Sequence, residues 1–86
     1  MKNKQSKFSK AIEEAQAGNY EYAYKIFTKV IYKYPPPSDS QLYAAYVNRG
    51  NAKEMLRDMD GACEDWTKAR ELGSEMGKQY QSANCN

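Results

Sequence analysis

The sequence predicts an all-α fold: a right-handed stack of two helical hairpins closed by a C-terminal helix, about five helices in a single domain. Three observations carry this expectation. Apolar residues recur at helical spacing, as Phe8, Ala11, Ile12 and Ala15 do at i, i+3, i+4 and i+7. Breaking and capping residues fall between the periodic segments: Gly18 and Asn19, Pro35 to Pro37, Asp58, and Gly73. The two halves also repeat at a constant offset of 39 residues. That offset pairs Ala11 with Gly50, Gly18 with Arg57, Ala23 with Ala62, Phe27 with Trp66 and Val30 with Ala69. Repeated hairpins of this kind bury each unit's face on the next.

The first helix is expected over about residues 5–17, ended by Gly18. Asn19 is expected to cap the second, over about 20–33. Tyr20, Ala23, Tyr24, Phe27, Val30, Ile31 and Tyr34 form its broad apolar face, widened by Tyr22 and Ile26. Lys25, Lys29 and Lys33 share another side. A solvated face is the plain reading of these lysines, and an acidic partner is the functional one. Pro35-Pro36-Pro37 stops the helix, because proline donates no backbone hydrogen bond.

Ser38 and Gln41 read as a capping box opening a third helix, about 39–56, with Leu42, Ala45, Tyr46, Gly50 and Leu56 inward. Asp58 should cap a fourth, about 59–72, with Met59, Ala62, Cys63, Trp66 and Ala69 inward. Asp60, Glu64 and Asp65 fall in its first turns, where carboxylates suit the helix dipole. A fifth helix, about 75–84, offers Met76, Tyr80 and Ala83 as a cap, although Gly77 lowers its helical propensity.

Bulk composition bounds the function. The chain has 86 residues, 41% apolar and 28% charged, as a globular domain does. It contains no histidine, which removes the commonest general base and metal ligand. Two cysteines without histidine do not make a usual zinc site, and no catalytic triad can be assembled. No catalytic residue, metal site or cofactor is expected. Residues 1–33 are net basic and residues 34–86 net acidic. Lys2, Lys4, Lys7, Lys10 and the second-helix lysines are the only basis for nucleic-acid binding, and the acidic second half argues against it. No apolar run suggests a membrane span, and the compartment is cytoplasmic by default. The eight tyrosines fit core stripes, with Tyr32 and Tyr43 expected to be exposed. Cys63 and Cys85 approach each other if the last two helices form a hairpin. A buried free Cys63 and an exposed Cys85 is the expectation.

At this point the chain resembles the tetratricopeptide repeat family. The resemblance lies in Gly18, Tyr20, Ala23, Phe27 and Pro35 of the first unit, and in Tyr46, Gly50, Ala62, Trp66 and Ala69 of the second. It implies units of about 5–34 and 39–73, a linker at 35–38 and the capping helix. The family unit has 34 residues, so the offset of 39 implies an insertion near Pro36–Ser40 that lengthens the linker or the third helix. Arg49 and Lys53 stand where the family often has apolar side chains. The resemblance also implies a concave surface, lined by the first helix of each unit, that holds extended peptides. Carried over, that surface comprises Phe8, Ile12, Val47, Asn48, Asn51, Glu54 and Met55. Apolar contact from Phe8, Ile12, Val47 and Met55 would contribute affinity, while Asn48 and Asn51 fix a peptide backbone. Asn48 matches one asparagine of the family's carboxylate clamp. Phe8 and Ile12 replace the clamp's other members, so clamp binding is not expected.

The implied function is a protein-interaction adaptor, with a protein or peptide partner and a capped monomer as the working state. The alternative is a self-associating structural subunit, for which a weak homodimer is the minimum.

Overall fold

A computed structural model describes residues 6–86, and the basic segment with Lys2 and Lys4 lies outside the described residues. The chain is an all-α helical hairpin repeat of five helices: α1 (Lys7–Gln16), α2 (Tyr20–Ile31), α3 (Asp39–Met55), α4 (Met59–Glu71) and α5 (Glu75–Asn84). Each helix packs on the next in sequence, and α3 also meets α5. The result is an elongated stack of 47 × 27 × 19 Å. No described helix is long and apolar enough to cross a membrane.

The repeat extends to the backbone. α1, α3 and α4 end alike, with Gly18, Arg57 and Gly73 at φ of 94°, 68° and 106°. In each case the next residue returns its N–H to a carbonyl of the last turn: Asn19 to Glu14 at 2.8 Å, Asp58 to Lys53 at 2.8 Å and Ser74 to Ala69 at 2.9 Å. This satisfies carbonyls that a helix end leaves open. Arg57 adopts the left-handed turn without glycine, at a cost of roughly 1 kcal/mol.

Ser38, Asp58 and Ser74 cap α3, α4 and α5 by accepting from the backbone N–H of Gln41, Gly61 and Gly77. Asn19 does not cap α2. Its amide donates instead to the Glu14 carboxylate at 2.6 Å. A charge-assisted bond outcompetes a neutral cap. Asp58, at the equivalent position, has no donor to divert, and Lys53 stands where Glu14 does.

Shifted by 39, α1 falls on 46–55, so α3 carries seven additional N-terminal residues, about two turns. The insertion therefore lengthens the third helix.

Two packing centres result. Ala11, Ala23, Ile26, Phe27, Ile31 and Ala45 form the first, between α1, α2 and α3. Trp66, fully buried, forms the second. Gly50 lies under its indole: a Cβ there would sit 2.7 Å from Trp66 Nε1 and 3.2 Å from the Ala62 carbonyl. Gly77 plays the same part for α5. A Cβ at Gly77 would meet Ala69 Cβ at 2.8 Å and the Trp66 carbonyl at 2.9 Å. The residue that lowers the propensity of α5 is thus what lets it dock.

Several stripe assignments shift. Tyr80 stacks on Trp66 at 5.4 Å, but Met76 and Ala83 are exposed, because Gly77 and Tyr80 set the docked face. Leu56 and Met59 are exposed at the α3–α4 turn, and so are Tyr22, Tyr32 and Tyr34. Tyr34 leaves the apolar face because α2 ends at Ile31. Tyr43 is half-buried.

Cys63 and Cys85 form a disulfide, with Cα atoms 5.9 Å apart. The expectation of free thiols is corrected. The α4–α5 hairpin is antiparallel, and the docking of Gly77 and Tyr80 brings the two cysteines level. Arg70 to Gln81 at 2.8 Å and Gln81 to Thr67 at 2.8 Å tie the same two helices.

Two outcomes are expected. Gly50→Ala should lose about 2 kcal/mol in urea unfolding, because overpacking against a fully buried indole exceeds the gain in helix propensity. Full stability in this variant would refute the close approach. Reduction should cost about 3 kcal/mol, the loop-closure figure for the 22-residue separation. Hydrogen exchange should then quicken first in residues 75–84. Uniform quickening would show that the disulfide does not act on α5.

Candidate functional site

Two hollows lie along α1, α3 and α5. Between α1 and α3 lies a concavity of about 240 Å³ lined by Ile12, Ala15, Tyr20, Asn48, Asn51 and Met55, among others. Between α3 and α5 a second, about 260 Å³, is lined by Tyr43, Val47, Asn48, Glu75 and Met76. Asn48 belongs to both. Asn48, Asn51 and Met55 share one helical face at i, i+3 and i+7.

The seven sequence-derived residues do not form one surface. Ile12, Asn48, Asn51 and Met55 come together, and Val47 reaches only the second concavity. Val47 is also buried, so most of it serves packing. Phe8 packs edge-on against Phe27 at 5.4 Å and lines a different concavity. Glu54 is half-buried and lines neither wall.

The two asparagines are oriented by internal hydrogen bonds. Asn48 Nδ2 donates to the Ala44 carbonyl at 2.8 Å. Asn51 Oδ1 accepts from Trp66 Nε1 at 3.1 Å. Asn51 therefore reaches into the packing around Trp66. Among the described residues, Asn48 Oδ1 and Asn51 Nδ2 have no partner. One acceptor and one donor stand free on the same face.

A buried ionic cluster lies between α2, α3 and α4. Asp65 receives Arg49 through Nε at 2.8 Å and Nη2 at 2.9 Å. Lys53 Nζ lies 3.3 Å from the same carboxylate. Arg49 Nη1 also donates to Thr28 Oγ1 at 3.3 Å, which joins the two repeat units. The Tyr24 and Tyr46 rings flank the cations. The hydrogen bond to Asp65 raises the Arg49 pKa, outweighing the burial that lowers it. Burial pushes the Tyr46 phenol above its ordinary value.

Sequence reasoning placed Asp65 among exposed dipole carboxylates. The offset of 39 held the missing signal. It pairs Asp65 with Ile26, a buried core residue, and so marks Asp65 as inward-facing. Among the described residues no group of three His, Cys, Asp or Glu side chains is placed to hold a metal.

Asp65→Asn should destabilise by about 3–5 kcal/mol, because two buried cations lose their counter-charge. Lys53→Met, which leaves the Arg49–Asp65 pair intact, should cost much less in the same thermal unfolding assay. Equal losses would mean that packing, not charge, holds the cluster.

No protein-family model matches the chain, and no solved structure is similar enough to count as a match. The chain is 34% identical over 86 residues to DnaJ homolog subfamily C member 7 of Homo sapiens. The alignment covers 99% of this chain and 17% of that protein, so the similarity is to one segment of a larger molecule.

Proposed function

We propose that the chain is a tetratricopeptide-type interaction module that binds an extended segment of a partner protein along α1, α3 and α5. The hairpin repeat, the family-like residues around Trp66 and the similarity to a segment of a DnaJ homologue support a helical interaction module in general. The finer reading rests on one observation. Asn48 offers a free acceptor and Asn51 a free donor on one helix face. A peptide group carries one N–H and one C=O, which such a pair complements whatever the side chains. Because each asparagine is already held by an internal bond, little side-chain entropy is lost on binding.

Ile12, Ala15 and Met55 then take an apolar side chain on one side of Asn48, and Val47 and Met76 take one on the other. The role is recognition, not catalysis, and the working state is a monomer. Two small concavities suit the low end of interface size, a weak and reversible contact.

The test begins with peptides selected by this chain from a random display library. Their binding should perturb the side-chain amide resonances of Asn48 and Asn51. Asn48→Ala should weaken binding roughly five- to tenfold, the value of one hydrogen bond, with helicity and melting unchanged. Wild-type affinity in Asn48→Ala, or perturbations confined to other faces, would overturn the groove assignment. Sedimentation at high concentration should show a monomer.

A further inference from the structure

A third concavity lies at another part of the stack, where α1 begins, α2 ends and the chain enters α3. Its volume is about 430 Å³, larger than either concavity around Asn48. Phe8, Ile26 and Val30 supply an apolar floor, and Lys7, Lys29 and Lys33 line it with them. Among the described residues no carboxylate lines it. These lysines make no salt bridge among the described residues, unlike Lys53, which is held by Asp65. The α2 dipole favours Lys29 near its last turn, which is reason enough for one lysine. It does not account for cations from two helices and a linker gathered over one apolar hollow. Their combined field attracts negative charge, and the low-dielectric floor strengthens it.

We propose that this concavity docks an acidic segment of a partner protein carrying a bulky apolar side chain. The apolar group enters between Phe8, Ile26 and Val30. Flanking Asp or Glu side chains meet Lys7, Lys29 and Lys33. Charge complementarity selects the acid, and the floor selects the apolar anchor. Nucleic acid fits less well, since among the described lining residues Phe8 is the one aromatic and its ring is engaged edge-on with Phe27. A bilayer fits less well because the surface is concave. This site is separate from the Asn48 groove and opposite in character. Among the described residues, the α1–α3 concavity has no charged lining residue and the α3–α5 concavity has Glu75 alone.

The probe is a fluorescein-labelled peptide, Glu-Asp-Leu-Glu-Asp-Phe-Asp-Glu, read by fluorescence anisotropy on the full chain at low salt. Saturable binding is expected, weakened at least tenfold by Lys29→Glu with Lys33→Glu. Both lysines are exposed, so the fold should survive, and circular dichroism checks this. Asn48→Ala should leave this binding unchanged, which separates a failure here from a failure of the groove. Replacing Leu and Phe of the probe by Gly should also weaken binding at least tenfold. Equal affinity for that Gly peptide would overturn the proposal by showing bare charge attraction. Absent binding, or binding indifferent to the double reversal, would overturn it as well. So would tighter, lysine-dependent retention on single-stranded RNA or on phosphatidylserine vesicles. The chain's own exposed turn carries Leu56 and Met59 beside Asp58 and Asp60. Concentration-dependent self-association abolished by the same double reversal would replace a separate partner with a second copy, and would overturn the proposal in that way.

Discussion

The seating of Trp66 is the constraint on which the second unit and the cap depend. Its indole is fully buried where α3, α4 and α5 meet. Gly50 makes room for it, Asn51 accepts its N–H, and Tyr80 covers one face. A buried aromatic of this size removes roughly 150–250 Å² from water, worth about 4–6 kcal/mol at ~25 cal/mol per Å². The first unit shows why these partners occur together. Its equivalent aromatic is Phe27, and the residue 39 before Gly50 is Ala11, because a smaller ring leaves room for a methyl. Ile12 stands at the position of Asn51, because phenylalanine has no N–H to satisfy. Trp66, Gly50 and Asn51 are one coordinated replacement of Phe27, Ala11 and Ile12.

A second replacement runs beside it. Ile26, Lys10 and Glu14 of the first unit correspond to Asp65, Arg49 and Lys53 of the second. Burying a carboxylate where an isoleucine would serve carries a desolvation cost that its partners repay only in good geometry. The bidentate Arg49 contact supplies that geometry, and the bond from Arg49 to Thr28 extends it to α2. Apolar contacts are non-directional, and an Arg–Asp fork is not. The cluster therefore orients α2, α3 and α4 relative to one another where dispersion alone would allow sliding.

What was legible in the sequence follows from this division. Helical periodicity and the turn residues located all five helices closely, since both signals are local. Gly50, Ala62, Trp66 and Ala69 were read as the seam because small residues beside a large ring have one packing meaning. Features that depend on a partner distant in sequence were not legible. Asn19 is a separate case: its partner Glu14 is only five residues away, but capping residue type alone does not show that the amide turns back to it. Asp65 reads as a dipole carboxylate until it is superposed on Ile26. Gly77 reads as a helix breaker until the Trp66 carbonyl lies against it. Of the candidate groove, drawn from the family resemblance, only Ile12, Asn48, Asn51 and Met55 come together. Phe8 belongs to packing because Phe27 stands across from it, and Val47 because it is buried, and both facts come only from the fold.

α5 packs on the face that the second unit presents. A stack of helical hairpins usually needs about three units, since each leaves an apolar face for the next. Here α5 occupies the place of the next unit's first helix and touches both α4 and α3. Gly77 and Tyr80 turn inward to close the core, while Glu75 and Met76 turn to the concave side and line the second hollow. Exposed Met76 is thus no failure of the cap. It lines the hollow between α3 and α5. The disulfide from Cys85 back to Cys63 holds the far end of the helix, where Ala83 and Asn84 bury little. Closing the core and walling the candidate groove are two faces of the same ten-residue helix. The stability of the α5 docking therefore also sets how long the second hollow stays formed.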